Sequence, residues 1–169
     1  KMTTPGRFFV QRFLRRAVKA KCDWAIIEMT SEGARQFRHK FVDLDALIFT
    51  NISPEHIESH GSFENYLDAK LSISRALAIS AKRPRIIIAN ADNEYAQGFL
   101  AAAVEIKKIY SIKDALPYTL KKNSTNFNLM GSQINTHLPG VFNLSNMLAG
   151  ISFAHAIGIE TKVIRRALG

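Results

Sequence analysis

Residues 85–89 of the chain read Arg-Ile-Ile-Ile-Ala and are followed by the polar stretch Asn-Ala-Asp-Asn at 90–93. A short apolar run that ends in polar residues is typical of a strand buried on both faces of a parallel sheet. Two other runs have the same character, WAIIEM at 24–29 and ALIFT at 46–50. Polar residues and then a helical stretch follow each run, and this alternation predicts an α/β fold with a mainly parallel central sheet flanked by helices.

The segments between and after these strands carry apolar residues three to four apart, the period of an amphipathic helix. The predicted helices cover residues 7–21, 62–82, 94–103, 142–157 and 161–168. Ser62 is a candidate N-cap of the second helix. Residues 106–138 consist instead of short β-like pieces separated by Asn, Ser and Gly. They predict a small antiparallel β patch attached to the main sheet.

The composition indicates one folded domain. Of the 169 residues, 47% are hydrophobic and 22% charged, which argues against disorder. No apolar stretch approaches the roughly 18 residues of a membrane span, and the N-terminus lacks the pattern of a secretory signal. The single cysteine, Cys22, cannot form an internal disulfide, which fits a reducing compartment. We therefore expect a soluble, cytoplasmic protein that does not bind membranes.

The chain is basic, with 23 Lys and Arg against 14 Asp and Glu and a net charge of +9, so a polyanion is a plausible partner. Six of the cations lie within residues 7–21, where a solvated helix face is the favoured explanation. The sequence has no homeodomain, zinc-finger or RNA-recognition pattern, and the phosphates of a nucleotide would account for the charge. We expect no specific binding of nucleic acid.

Polar residues that follow the apolar runs are candidate site residues, because ligands of open parallel sheets gather beyond the carboxyl ends of the strands. Glu28 is a candidate metal ligand, since a carboxylate at a buried strand end is costly unless it is paired or bound to a cation. A capped or ion-paired glutamate explains it equally well. His56 and His60 are four residues apart, but this spacing alone is weak evidence for zinc.

The stretch 50–70 carries a more specific pattern, TN-x4-H-x3-HG-x4-Y-x2-AK, ending at Ala69-Lys70. This pattern resembles the central-domain signature of the Mur ligases, and within them most closely the UDP-N-acetylmuramoyl-tripeptide synthetase branch. Three further segments agree in order and spacing with that family. They are Thr3-Thr4-Pro5, Glu28-Met-Thr-Ser31 and Gly140-Val-Phe-Asn-Leu-Ser-Asn146.

The resemblance implies a central ATPase domain with a fold like that of the P-loop NTPases. It also implies an ATP-dependent ligase of peptidoglycan synthesis, which adds an amino acid to a UDP-N-acetylmuramoyl-peptide through an acyl phosphate and uses Mg²⁺. Relatives with the same central domain remain as alternatives, namely ligases like folylpolyglutamate synthetase or cyanophycin synthetase. A non-catalytic binding module that keeps only the fold is a further alternative.

The resemblance also implies roles for individual residues. Glu28 and His56 match the magnesium ligands, and Lys70 matches a catalytic lysine that becomes carbamylated and then serves as a metal ligand. The positions that match substrate-binding residues are Thr3, Thr4, Thr30, Gln36 and Arg38, and those near the adenine of ATP are Asn143 and Asn146. Judged without the family, Lys70 is one surface lysine among many, Thr3 and Thr4 are part of a disordered terminus, and Asn143 is a helix cap.

The sequence departs from the family pattern in two ways. It contains no G-x-x-x-x-G-K-[ST] phosphate loop. Glu32 and Phe37 stand where the tripeptide-synthetase branch often has histidine. We therefore expect residues 1–169 to be one partial central domain whose partners are the other domains of the same polypeptide. The missing parts are the phosphate loop of the central domain, an N-terminal UDP-binding domain and a C-terminal amino-acid-binding domain.

Overall fold

The computed structural model describes residues 6–53 and 60–169. These residues form two compact units. The first lies within Lys1–Asp45 and Ser53–Arg83, and the second within Ala46–Ile52 and Pro84–Gly169.

The first unit is helical. Its helices are α1 (Arg7–Lys19), α2 (Ser31–Arg35) and α3 (Phe63–Ala78). The Ser62 hydroxyl accepts a hydrogen bond from the Asn65 N–H at 3.2 Å, which confirms the predicted N-cap of α3. The helix ends four residues earlier than predicted.

The basic face of α1 is solvated. Every cation of this segment is exposed, namely Arg7, Arg12, Arg15, Arg16, Lys19 and Lys21. Of the apolar residues of α1, only Val10 is buried. The Gln11 amide donates to the carbonyl of Phe41 at 3.1 Å and ties the helix to the segment that follows α2.

The prediction of a buried strand at 24–29 is wrong. These residues belong to no helix or strand, and Ile26 is 93% exposed. A strand is stable only where its N–H and C=O groups pair with a neighbour. In the described residues no strand forms a ladder with this segment. Apolar composition indicates that a segment can be buried, but it does not supply the partner.

The second unit contains the parallel sheet that the sequence predicts. Its strands are β1 (Ala46–Phe49), β2 (Ile86–Asn90) and β3 (Ile106–Tyr110), in the order β1-β2-β3. All five residues of the central strand β2 are buried. In contrast, Lys107, Lys108 and Ile109 of the edge strand β3 are exposed.

An antiparallel sheet follows a 3₁₀ helix at Ile112–Ala115 and consists of β4 (Tyr118–Lys121), β5 (Ser124–Leu129) and β6 (Ser132–Thr136). Alternate residues of β5 are buried, the pattern of a strand with one face on the core. The predicted antiparallel patch is thus confirmed for 118–136. The prediction is wrong for residues 106–110, because they pair in parallel with β2.

Helices α4 (Ala96–Leu100), α5 (Val141–Ala156) and α6 (Thr161–Leu168) complete the second unit. Gly140 starts α5 with a φ of 92°, a conformation that side chains with a Cβ rarely adopt. The core of this unit is lined by β2, β5 and α5, and its most buried members include Ile88, Phe127 and Leu144. None of the helices within 6–53 and 60–169 is long and apolar enough to cross a bilayer.

An ion pair joins the starts of β2 and β3. The Arg85 side chain donates through Nε and Nη2 to the Glu105 carboxylate at 3.1 and 2.7 Å, and the Arg85 backbone N–H donates to the same group at 2.7 Å. These hydrogen bonds lower the pKa of Glu105 from 4.5 to about 2. A carboxyl whose folded-state pKa is depressed adds stability above its unfolded-state pKa, and this contribution is lost as the pH falls through the folded-state value.

We predict that Glu105→Gln lowers the Tm at about pH 7, because the substitution removes the charge that Arg85 binds. The difference from the wild type should shrink as the pH falls from 4.5 towards 2, the window set by the two pKa values. Thermal unfolding followed by circular dichroism across this range measures both effects. Glu160→Gln is the control, because its pair with Lys162 is largely exposed. A Tm difference that does not change with pH would contradict the prediction.

Candidate functional site

The loop before α2 presents Thr30 at the start of that helix. Its Oγ1 accepts a hydrogen bond from the Gly33 N–H at 3.0 Å and so caps α2. The next residue, Ser31, is buried. A capped helix start holds the Thr30 side chain in one orientation, which a substrate-binding residue requires.

Two predicted substrate-binding residues, Gln36 and Arg38, are in direct contact. The Nε and Nη2 atoms of Arg38 donate to Gln36 Oε1 at 3.1 and 2.6 Å. Arg38 is only 4% exposed, whereas Gln36 is exposed. The Nε–Nη2 edge of the guanidinium is therefore occupied by Gln36, and the Gln36 amide is the solvent-facing member of the pair.

Glu32, which replaces a frequent family histidine, orients the Gln36 amide. Its carboxylate accepts from Gln36 Nε2 at 2.5 Å and from two Arg35 nitrogens at 2.9 Å each. The hydrogen bond with Arg35 is the main cause of a lowered pKa of Glu32. Because Nε2 of Gln36 faces Glu32, its Oε1 faces Arg38.

Phe37 replaces the other frequent histidine and follows the end of α2. It has a φ of 53° and a half-exposed ring. The Lys40 ammonium lies 4.4 Å from the centre of that ring, within the range of a cation–π contact. The positive φ turns the chain so that Arg38 and His39 are buried.

The start of α3 brings together the His, Tyr and Lys of the sequence pattern. The His60 ring lies edge-on to the Tyr66 ring, with 5.4 Å between centroids and 76° between planes. Lys70 is one helical turn beyond Tyr66, and its Nζ lies 5.6 Å from the centre of the Tyr66 ring. Lys70 is half-buried, so it is not an ordinary surface lysine.

Two of the three predicted magnesium ligands fit that metal in donor type, because Mg²⁺ prefers oxygen ligands, whereas the nitrogen of a histidine does not fit this preference. Glu28 is exposed and supplies a carboxylate, and Lys70 would supply oxygens as a carbamate. His56 lies outside the described residues. Within residues 6–53 and 60–169, no three His, Cys, Asp or Glu side chains are close enough to hold a metal.

In the second unit, side-chain amides fasten the carboxyl ends of the strands. Asn90 Nδ2 donates to the Thr50 carbonyl at 2.8 Å, and Asn93 Nδ2 donates to the Ile52 carbonyl at 3.0 Å. The Asp92 carboxylate accepts from the Ser111 hydroxyl and the Ile112 N–H, both at 2.7 Å. The polar clusters at 50–51 and 90–93 thus contact each other or the end of β3, and they have a structural role.

The predicted adenine-binding asparagines lie on the first turns of α5. Asn143 Nδ2 donates back to the Pro139 carbonyl at 2.7 Å, and Asn146 is exposed. The N-cap position belongs to Gly140. Asn143 is therefore not the capping residue of this helix, although its side chain closes the loop that enters it.

The candidate residues divide between the two units. The first unit holds Glu28, Thr30, Gln36, Arg38 and Lys70, and the second holds Asn143 and Asn146. Thr3, Thr4 and His56 lie outside the described residues. Sequence reasoning missed the Ser31–His60 contact, whose only signal was that both residues belong to motifs of the same family.

Comparison with known proteins agrees with this arrangement of motifs. Residues 1–154 match the family described as the Mur ligase middle domain. The chain is a member of this Mur ligase family. The match covers the first unit, the second unit as far as residue 154, and every candidate residue of the site.

Several curated Mur ligases are similar to the chain. A UDP-N-acetylmuramoyl-L-alanyl-D-glutamate–2,6-diaminopimelate ligase from Chlamydia caviae is 33% identical over 90% of the chain and 33% of its own length. The ligase of that name from Syntrophomonas wolfei is 29% identical over 98% of the chain. A UDP-N-acetylmuramyl-tripeptide synthetase from Borreliella burgdorferi is 31% identical over 89%. The chain spans about a third of the length of these relatives.

Solved Mur ligase structures share the fold. A UDP-N-acetylmuramoyl-L-alanyl-D-glutamate–2,6-diaminopimelate ligase superposes with a TM-score of 0.79 over 98% of the chain and 36% of its own length, at 21% identity. A MurF structure from Acinetobacter baumannii gives 0.64 over 78% of the chain and 30% of its own length, at 23% identity. The α/β architecture is therefore that of the family.

We predict that Thr30→Ala lowers the free energy of unfolding by about 1 kcal/mol, the usual cost of losing an N-cap. Thr30→Ser should retain most of the stability, because its hydroxyl can accept the same hydrogen bond from Gly33. Urea denaturation of the wild type and both variants measures the difference. Equal stability of the Ala and Ser variants would show that the cap does not stabilise the fold.

Proposed function

We propose that this chain is part of an ATP-dependent ligase that adds an amino acid to a UDP-N-acetylmuramoyl-peptide in peptidoglycan synthesis. The substrate carboxylate accepts the γ-phosphoryl group of ATP, which gives an acyl phosphate and ADP. The amine of the amino acid then attacks the carbonyl carbon, inorganic phosphate leaves, and the amine loses a proton as the amide bond forms. Because the reaction consumes ATP, a cytoplasmic location suits it.

The other functions of the enzyme are proposed to belong to domains outside residues 1–169. The chain has no glycine-rich phosphate loop, and its relatives are about three times as long. We propose that the remaining domains of the same polypeptide bind the uridine, hold the phosphates of ATP and select the amino acid. The central domain then contributes the residues of α2, α3 and α5.

The observation that carries the proposal is the oriented Gln36–Arg38 pair at the end of α2, the helix whose start is capped by Thr30. Its Arg38 guanidinium is already fixed by two hydrogen bonds, so it does not lose side-chain freedom when an anionic substrate binds. Gln36 and Thr30 would contact the UDP-muramoyl-peptide directly, with Arg38 behind them as the positive charge. Thr3 and Thr4 are proposed to bind the same substrate.

Glu28, His56 and the carbamate of Lys70 would hold Mg²⁺. Bound magnesium supplies positive charge to the transferring phosphoryl group, whose oxygens are all anionic. The uncharged Lys70 amine would form the carbamate by attacking the carbon of CO₂, with release of one proton. The half-buried position of Lys70 restricts its side chain, as a metal ligand requires.

Asn143 and Asn146 would bind the adenine of ATP. An amide side chain both donates and accepts hydrogen bonds, which suits a purine edge. Asn143 uses one N–H for the Pro139 carbonyl and retains its Oδ1 and second N–H for a ligand. Asn146 is one helical turn away and exposed.

The direct test uses the complete protein with ATP, magnesium and a UDP-muramoyl-dipeptide. Phosphate release should require both this acceptor and an amino acid, and mass spectrometry should find the extended peptide. ATP turnover that ignores the muramoyl-peptide would contradict the proposal.

We predict that Lys70→Ala in the complete protein lowers the rate by at least about tenfold, the smaller loss expected when groups supporting a metal site are removed. Short carboxylates such as acetate should restore part of the activity, because they can supply the missing oxygen ligand. Lys122→Ala is the control, since Lys122 is an exposed lysine of the second unit, and its activity should match the wild type. Full activity of Lys70→Ala would leave this lysine without a catalytic role.

We predict that the 169-residue chain alone does not hydrolyse ATP. Its sequence offers no glycine-rich loop whose N–H groups could hold the β- and γ-phosphates. A phosphate-release assay with purified chain, ATP and magnesium tests this. Magnesium-dependent turnover that disappears in Glu28→Ala would show that the chain holds ATP by another route.

A further inference from the structure

We propose that His60 is a positioning residue that fastens the start of α2, which carries Thr30, to α3, which carries Lys70. The inference rests on the proposed function, which assigns Thr30 to the substrate and Lys70 to the catalytic centre. It concerns residues to which neither the sequence pattern nor the chemistry of the reaction gives a role.

One buried polar contact joins the start of α2 to the turn that precedes α3. His60 Nε2 lies 3.1 Å from the hydroxyl oxygen of Ser31, the first residue of α2. Both side chains are buried, with 7% and 6% of their surface exposed. Hydrogen bonds in a water-free environment are directional, so this pair fixes where the start of α2 lies on α3.

His60 is itself held rigidly to α3. Its carbonyl accepts a hydrogen bond from Asn65 Nδ2 at 3.1 Å, and its ring packs edge-on against Tyr66. Gly61, with a φ of 80°, allows the turn between His60 and the helix. Tyr66 also contacts the Lys70 ammonium. Ser31 is therefore linked to Lys70 through His60 and Tyr66, each in contact with the next.

Packing alone does not explain a histidine at this position. In the described residues, His60 Nδ1 is buried without a hydrogen-bond partner. A buried polar atom in this state is unfavourable, and a leucine of similar size would avoid it. A leucine could not form the hydrogen bond that His60 Nε2 makes with the Ser31 hydroxyl, and this bond explains the histidine.

The position of Ser31 links this contact to the substrate. Ser31 follows Thr30, whose Oγ1 caps α2, and precedes Glu32, which orients Gln36. Movement of Ser31 would shift both neighbours. Loss of the His60 contact should therefore weaken substrate binding more than it slows the chemical step.

The test is a double-mutant cycle in the complete protein, measured as KM and kcat for the UDP-muramoyl-peptide. His60→Leu and Ser31→Ala should each raise KM about fivefold, the loss expected for one buried hydrogen bond, with kcat changed less than twofold. The double variant should be no worse than either single variant, because both remove the same contact. His60→Gln, which keeps a polar atom near the Nε2 position, should recover part of the affinity.

The matched control is His155→Leu. His155 Nε2 makes an equivalent contact with the Thr161 hydroxyl at 3.2 Å in the second unit, away from α2 and α3 in the sequence. This variant should leave KM unchanged. Additive effects of His60→Leu and Ser31→Ala, or the same KM increase in the control, would overturn the positioning role.

Failure of the ligase proposal can be distinguished from failure of the positioning proposal for His60. An inactive wild-type protein would contradict the ligase proposal, and the cycle would then be measured by thermal unfolding. Shifts in Tm that are not additive would still support the contact between α2 and α3, whereas additive shifts would refute it. If His60→Leu does not fold, Ser31→Ala and His60→Gln carry the test, and an unchanged KM in both would refute the positioning role.

Discussion

The pairing of β2 with a strand on each side is the constraint on which the second unit depends. All five residues of β2 are buried, so their N–H and C=O groups have partners only inside the sheet. Parallel ladders to β1 and β3 provide these partners, and α5 covers Ile86 and Ile88 in the core. A buried group without a partner costs about 1–3 kcal/mol, so loss of either neighbouring strand would expose or unpair several of them.

Polar side chains then fix both ends of this strand. Arg85 and Glu105 join β2 to β3 where the strands begin, and Asn90 joins β2 to β1 where they end. The first unit uses the same principle without a sheet, because the contact of Ser31 with His60 joins the start of α2 to the turn that precedes α3. Thr30 and Gln36 are the capping residues of α2, and Lys70 lies within α3. In the second unit Asn143 and Asn146 lie within α5, and the helices restrict the orientation of these side chains.

The sequence was sufficient where local pattern alone determines structure. The Ile-rich run gave the central strand, the Ser62 cap gave the start of α3, and the bounds 161–168 agree with α6. The sequence-based prediction failed at 24–29, which form no strand, and at 106–110, which pair in parallel rather than antiparallel. The composition of a segment does not show which strand, if any, it pairs with. The site residues came from the motif pattern, but the Gln36–Arg38 pair and the contact between Ser31 and His60 arise from chain turns and from residues 29 positions apart. No local period encodes such contacts.

The exposed lysines of β3 have a consequence for how this sheet can grow. A further strand placed beside β3 would lie next to the exposed, charged residues Lys107 and Lys108, and such residues oppose pairing at a sheet edge. The opposite edge has no such barrier in the part of the chain that the structure describes, since β1 consists of Ala, Leu, Ile and Phe and forms a ladder only with β2. Extension by strand addition is therefore directional, favoured across β1 and opposed across β3.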